Sequence, residues 1–85
     1  MIKCILMKNG LILVSEIEEM GSELGEPDCK LINPYKLEKQ SITGQYTLEP
    51  WMDFTSQKEF MIHSDSILTI ADPKENIISL YTQVK

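Results

Sequence analysis

Apolar and polar positions follow the two-residue period of β-strands over most of this chain. Ile2 to Met7 is apolar apart from Lys3 and predicts a first strand. Lys8-Asn9-Gly10 follows; Asn-Gly accepts the positive φ values of a type I′ turn and predicts a tight hairpin. Leu11 to Glu18 alternates cleanly, with Leu11, Leu13, Ser15 and Ile17 on one side. Ile12, Val14, Glu16 and Glu18 take the other side, apolar first and acidic later, as in a strand that runs out into solvent. Glu19 to Asp28 carries two glycines and a proline and predicts a loop. Cys29 to Leu37 is a third strand, interrupted at Asn33-Pro34, where a bulge or an edge position is expected. Gln45 to Met52 is a fourth strand that bends or lies on an edge at Pro50. Phe60 to Ile62 and Ile67 to Ala71 supply the remaining strand segments.

The period changes after Ala71. Asp72 is the expected N-cap, with Pro73 at the first helical position and Glu75 three residues after the cap. Ile77, Ile78, Tyr81 and Val84 then recur at helical spacing, which predicts a helix over about 73–84. A helix this short is marginal alone and must pack against the sheet or a neighbouring subunit. The expectation is one domain over 1–85, mainly β, with strands within 1–71 and a C-terminal α-helix. Five short antiparallel strands are most economically covered by bending into a small barrel, which removes open edges. Sm-like, SH3-like and OB-type barrels all meet that description.

Composition narrows the function classes. The chain has 85 residues and a formal net charge of −5, which opposes the counterion-release binding that dominates duplex DNA recognition. Glu16, Glu18, Glu19, Glu23, Glu26 and Asp28 form the densest acidic run and predict a solvated face. No stretch of about 18 apolar residues could span a membrane. The start of the chain is too short and too interrupted by lysines for a signal peptide. A cytoplasmic location follows as an expectation, with Cys4 and Cys29 as two free thiols.

The chemistry candidates are few. His63, the only histidine, is followed by Ser64, Asp65 and Ser66. Adjacent residues seldom give a nucleophile, base and orienting acid the geometry they need, and there is no G-x-S-x-G elbow. "HSDS" predicts a polar turn that opens a strand. Cys4, Cys29 and His63 show no paired metal-ligand spacing, and Gly21 and Gly25 have no phosphate-loop context. No enzyme activity, metal or cofactor is therefore expected. Tyr35 and Trp51, each next to a proline, are candidates to stack on single-stranded bases or to fill a core or an interface.

Two segments carry a family resemblance. "ILMKNGLILVSEIEE", Ile5 to Glu19, resembles the first half of the Sm-like signature, and "IHSDSILTI", Ile62 to Ile70, resembles the second. The whole is most similar to short Sm-like proteins of marine bacterial or phage origin. The resemblance implies a five-stranded, strongly bent barrel that joins copies of itself into a ring through its edge strands. It also implies single-stranded RNA binding at the ring pore. His63 and Ser64 stand where the family usually has Arg and Gly, with Asp65 as the polar turn residue; these three would line the pore, with Asn33 and Tyr35 as second-rank candidates. The helix after Pro73 departs from the family, whose helix usually precedes the first strand. The alternative expectation is a homo-oligomeric structural or protein-interaction module without a nucleic-acid role.

Overall fold

The computed structural model describes residues 1–21 and 23–85. It is mainly β, with a single antiparallel sheet and a C-terminal helix. The strands are β1 (Ile2–Met7), β2 (Ile12–Glu19), β3 (Cys29–Lys39), β4 (Tyr46–Pro50), β5 (Glu59–Ile62) and β6 (Ile67–Ala71). A 3₁₀ turn, Ser64–Ser66, joins β5 to β6, and α1 spans Glu75–Val84.

The strand order is β4-β3-β2-β1-β6, with β5 lying beside β4 on the same edge of β3. The expected count of five strands becomes six for a physical reason. The long β3 offers one continuous edge, but Pro50 ends β4 and the 51–58 segment loops out before β5 resumes. β4 pairs with Tyr35–Lys39 and β5 with Cys29–Ile32. Among the described residues no ladder joins β6 to β4 or β5, so the hydrogen-bonded barrel stays open.

β3 bends where the sequence suggested. Between Val14↔Tyr35 and Glu16↔Ile32, Ser15 faces two residues, Asn33 and Pro34, and Asn33 takes φ 54°. Asparagine tolerates this left-handed conformation better than most residues. The extra residue reverses which side of the sheet the odd-numbered positions face. Leu31 belongs to one apolar layer, whereas Tyr35 and Leu37 belong to the other.

The two layers lie on opposite faces. Ile5, Met7, Leu13 and Leu31 form the concave core, closed at one end by Trp51, whose ring meets Phe60 edge-on at 5.7 Å. On the other face Val14, with Ile2, Cys4, Tyr35, Leu37 and Leu48 around it, is covered by Ile77 and Tyr81 of α1. A strand face that would otherwise be wet is thus buried by ten helical residues.

Local details correct three sequence expectations. Among the described residues only glycines and Asn33 have positive φ, so Asn9 does not occupy a type I′ turn. The Gly10 amide donates to the Met7 carbonyl and the Met7 amide to the Leu11 carbonyl, a type I turn closed by a glycine bulge. The helix starts at Glu75 rather than 73, and its N-cap is Lys74 without a side-chain cap bond. Asp72 is drawn instead into an ion pair with Lys3 across the β1–β6 pair. The apolar helix stripe is also narrower, since Ile77 and Tyr81 are buried while Ile78 and Val84 stay partly open to solvent. Cys4 and Cys29 are unpaired thiols, as expected. No helix of the described chain is long and apolar enough to cross a membrane.

Candidate functional site

The turn between β5 and β6 places His63, Ser64 and Asp65 together on an exposed corner. The Ser66 amide and hydroxyl both donate to the His63 carbonyl, at 3.0 and 2.6 Å, which closes the turn on itself. The Lys8 amide donates to the Ser66 carbonyl at 2.9 Å and ties the corner to the β1–β2 hairpin. A distant residue finishes the work. Asp28 Oδ1 accepts from the Ser64 amide at 2.7 Å, and its Oδ2 accepts from the Ser64 hydroxyl at 2.6 Å. These two bonds hold the Asp28 carboxyl below its ordinary range, with a smaller contribution from the nearby His63. Ser64 is therefore clamped, while the His63 imidazole forms no hydrogen bond among the described residues.

Asn33 and Tyr35 lie elsewhere. The Asn33 amide donates to the Lys58 carbonyl at 2.7 Å, beyond the opposite end of β5 from His63. Asn33, Tyr35 and Trp51 line a small cleft of about 50 Å³ beneath the 51–58 segment. The Tyr35 hydroxyl donates to the Val84 carbonyl at 2.9 Å, and its ring meets Tyr81 edge-on at 5.8 Å. Tyr35 is thus engaged by the helix. The five candidates form two separate groups, one at each end of β5.

Sequence inspection missed Asp28, whose contact with Ser64 spans 36 positions, and no short-range pattern marks it. It also missed Lys30, which bridges Glu18 at 3.5 Å and Glu59 at 3.1 Å and so binds β2, β3 and β5 together. Both acids hold the Lys30 ammonium above its ordinary range, Glu59 more strongly.

The open sheet leaves two free edges with apolar side chains. On β6, the register slips between Thr69↔Leu6 and Ile67↔Met7, so Leu68 is extruded and 64% exposed. Ile70, opposite the fully buried Ile5, is still 45% exposed, and Met61 on β5 is 46% exposed. Between β6 and the ends of β2 and β3 runs a groove of about 370 Å³ lined by Lys3, Ile17, Glu19, Cys29, Ser64, Ile67 and Ile70. Burial pushes the Cys29 thiol up, and the charges of Asp28 and Glu19 push it the same way.

Comparison with curated proteins returned no match. A family model described as a family of unknown function, DUF6561, matches residues 1–85. The fold described above, a bent open sheet of six strands backed by one helix, is thus the form of a chain that belongs to the DUF6561 family.

Proposed function

We propose that this chain is a self-assembling module of Sm-like type, in which the free edge of β5 in one copy joins the free edge of β6 in the next. The observation that carries this reading is the pair of open edges bearing Met61, Leu68 and Ile70 as exposed apolar side chains. An unpaired edge with apolar side chains is a template for another strand, and native chains usually blunt it. A contact between two different edges is heterologous, so repetition closes a ring if the rotation per copy permits. The 3₁₀ turn lies directly between the two strands and would face the centre of such an assembly. In this reading the ring is a structural or protein-interaction element.

The test is mass in solution, by native mass spectrometry and light scattering. Wild type is expected as a closed oligomer of one size. Leu68→Lys is expected to shift it to monomer with an unchanged far-ultraviolet circular dichroism spectrum, because Leu68 is extruded and supports no core. A wild-type monomer at high concentration would sink the proposal.

Single-stranded RNA binding at the turn is the second reading, favoured by the exposed and unbonded His63 imidazole. Asp28 and Asp65 oppose it by repelling phosphate. Titration of labelled oligo-U and oligo-A at low and moderate salt decides it. Micromolar binding at low salt, weakened by rising salt and lost in His63→Ala, is the expected signature. Failure to bind at low salt rejects it and leaves the assembly reading untouched.

A further inference from the structure

The β5 and β6 edges lie far apart along the hydrogen-bonded path of the sheet. β6 pairs with β1 and β5 with β3, so β1, β2 and β3 stand between them. That path slips register twice, between Leu6 and Met7 and between Val14 and Glu16, and such irregularities bend and twist strands locally. The short way round is the 63–66 corner, which joins the end of β5 directly to the start of β6. This corner is fastened from both sides. Asp28, the residue before β3, grips it with backbone and side chain. Its amide donates to the Ile62 carbonyl at 3.2 Å. Its carboxylate accepts from the Ser64 amide at 2.7 Å and from the Ser64 hydroxyl at 2.6 Å. Bonds to an ionised acceptor are stronger than neutral ones, and the two together fix a direction as well as a distance. On the β6 side the Lys8 amide donates to the Ser66 carbonyl at 2.9 Å. β5 is only four residues long and lies on an edge, so its ladder with β3 constrains it weakly without the clamp at its end.

We infer that Asp28 and Ser64 form a positioning clamp, which holds the β5 edge at one orientation to the β6 edge and so sets how many copies close a ring; this rests on the β5-to-β6 assembly proposed above. In a heterologous assembly the rotation from one copy to the next decides whether the ring closes and at what number. That rotation is fixed by the angle between the two joining edges of a single copy. Neighbouring ring sizes differ by a small rotation per copy, so a corner free to pivot admits more than one of them.

The test is the subunit number read by native mass spectrometry in wild type, Ser64→Ala, Ser64→Thr and Asp28→Ala. Wild type is expected at a single number. Ser64→Ala keeps the amide bond and loses the hydroxyl bond, whereas Asp28→Ala loses both side-chain bonds. Each is expected to populate at least two subunit numbers, with the broader spread in Asp28→Ala. Ser64→Thr restores the hydroxyl and is expected to return to one number. Circular dichroism and the urea midpoint are expected to stay near wild type in all three variants, because neither residue belongs to either apolar layer. A general loss of stability therefore does not produce the spread. An Asp28→Ala protein that keeps the single wild-type number overturns the inference and leaves the assembly reading intact. So does an Asp28→Ala protein that falls to monomers, since the clamp is then needed for joining and not for the rotation. A wild-type monomer removes the assembly itself, and the inference with it.

Discussion

Replacing Tyr81 by alanine is expected to lower the unfolding free energy by about 3–5 kcal/mol, the usual range for emptying a large buried aromatic site. A domain of this length has a total of roughly 4–13 kcal/mol at typical values per residue. The variant therefore loses much of its stability, and urea denaturation should show a midpoint far below wild type. The reason is that Tyr81 joins three things. Its ring is fully buried against Val14 and Tyr35, and α1 has only one other fully committed apolar anchor, Ile77. Its hydroxyl donates to the Asn33 carbonyl at 2.9 Å, with the Ile32 carbonyl at 3.2 Å, where β3 bulges. Ladder bonds are disrupted there, so the helix supplies the donor that the neighbouring strand cannot.

Tyr81→Phe keeps the ring and removes only the hydroxyl. It is expected to cost about 1–2 kcal/mol, the effect of a lost hydrogen bond with an acceptor left buried. It also changes the alkaline limb. Burial pushes the Tyr81 phenol up to about 12, against about 10 in the unfolded chain. The folded state thus retains a proton that the unfolded state releases as pH rises from 10 to 12. Stability from this group is complete below pH 10 and falls through that window, by at most about 2–3 kcal/mol. The slope of stability against pH between 10 and 12 should be smaller in Tyr81→Phe than in wild type. Equal slopes in the two proteins would show that Tyr81 is not the group responsible.

Leu13→Ala is the second large effect, expected at about 2–5 kcal/mol. Leu13 is fully buried on β2, opposite the fully buried Ile5 on β1 and in the same layer as Leu31 on β3. The concave core is small and already open along β6, so little remains to collapse into the vacated space. Ile12→Ala, one position earlier and 38% exposed, should cost well under half as much. Thermal and urea unfolding of the two variants check this directly. A double variant Ile5→Ala, Leu13→Ala should depart from additivity, because the side chains are ladder partners and share one cavity. Strict additivity would mean that the two sites relax independently.

The strands were readable because period-2 patterning is local. Each strand needs only its own few residues to declare two faces, and the Asn33-Pro34 break in β3 announced a bulge or an edge position through the chemistry of proline, of which the pairing with β2 selects the bulge. The hairpin at Gly10 was readable as a hairpin but not in its turn type. Type I′ and the glycine-bulged type I turn both accept Asn-Gly, and the choice depends on how many ladder bonds the flanking strands keep. The helix was placed two residues early because Asp72 is a good cap in isolation. Its carboxylate went to Lys3, an ion pair that exists only once β6 lies beside β1.

The candidate site divides along the same line. The polar turn at His63–Ser66 was visible in sequence because its closing bonds lie within four residues. Its anchor, Asp28, was invisible, since only the pairing of β5 with β3 brings the carboxylate to Ser64. Asn33 and Tyr35 were expected beside His63 as second-rank pore candidates, whereas the length of β5 holds them at opposite ends. By itself the sequence determined the strand and helix content, the break at Asn33-Pro34 and the excess of acids, all properties of short windows or of composition. Only the tertiary structure decided that the sheet stays open and that β5 and β6 present bare apolar edges. It alone set the aliphatic groove beside β6, because pairing and burial depend on contacts between residues far apart in the chain.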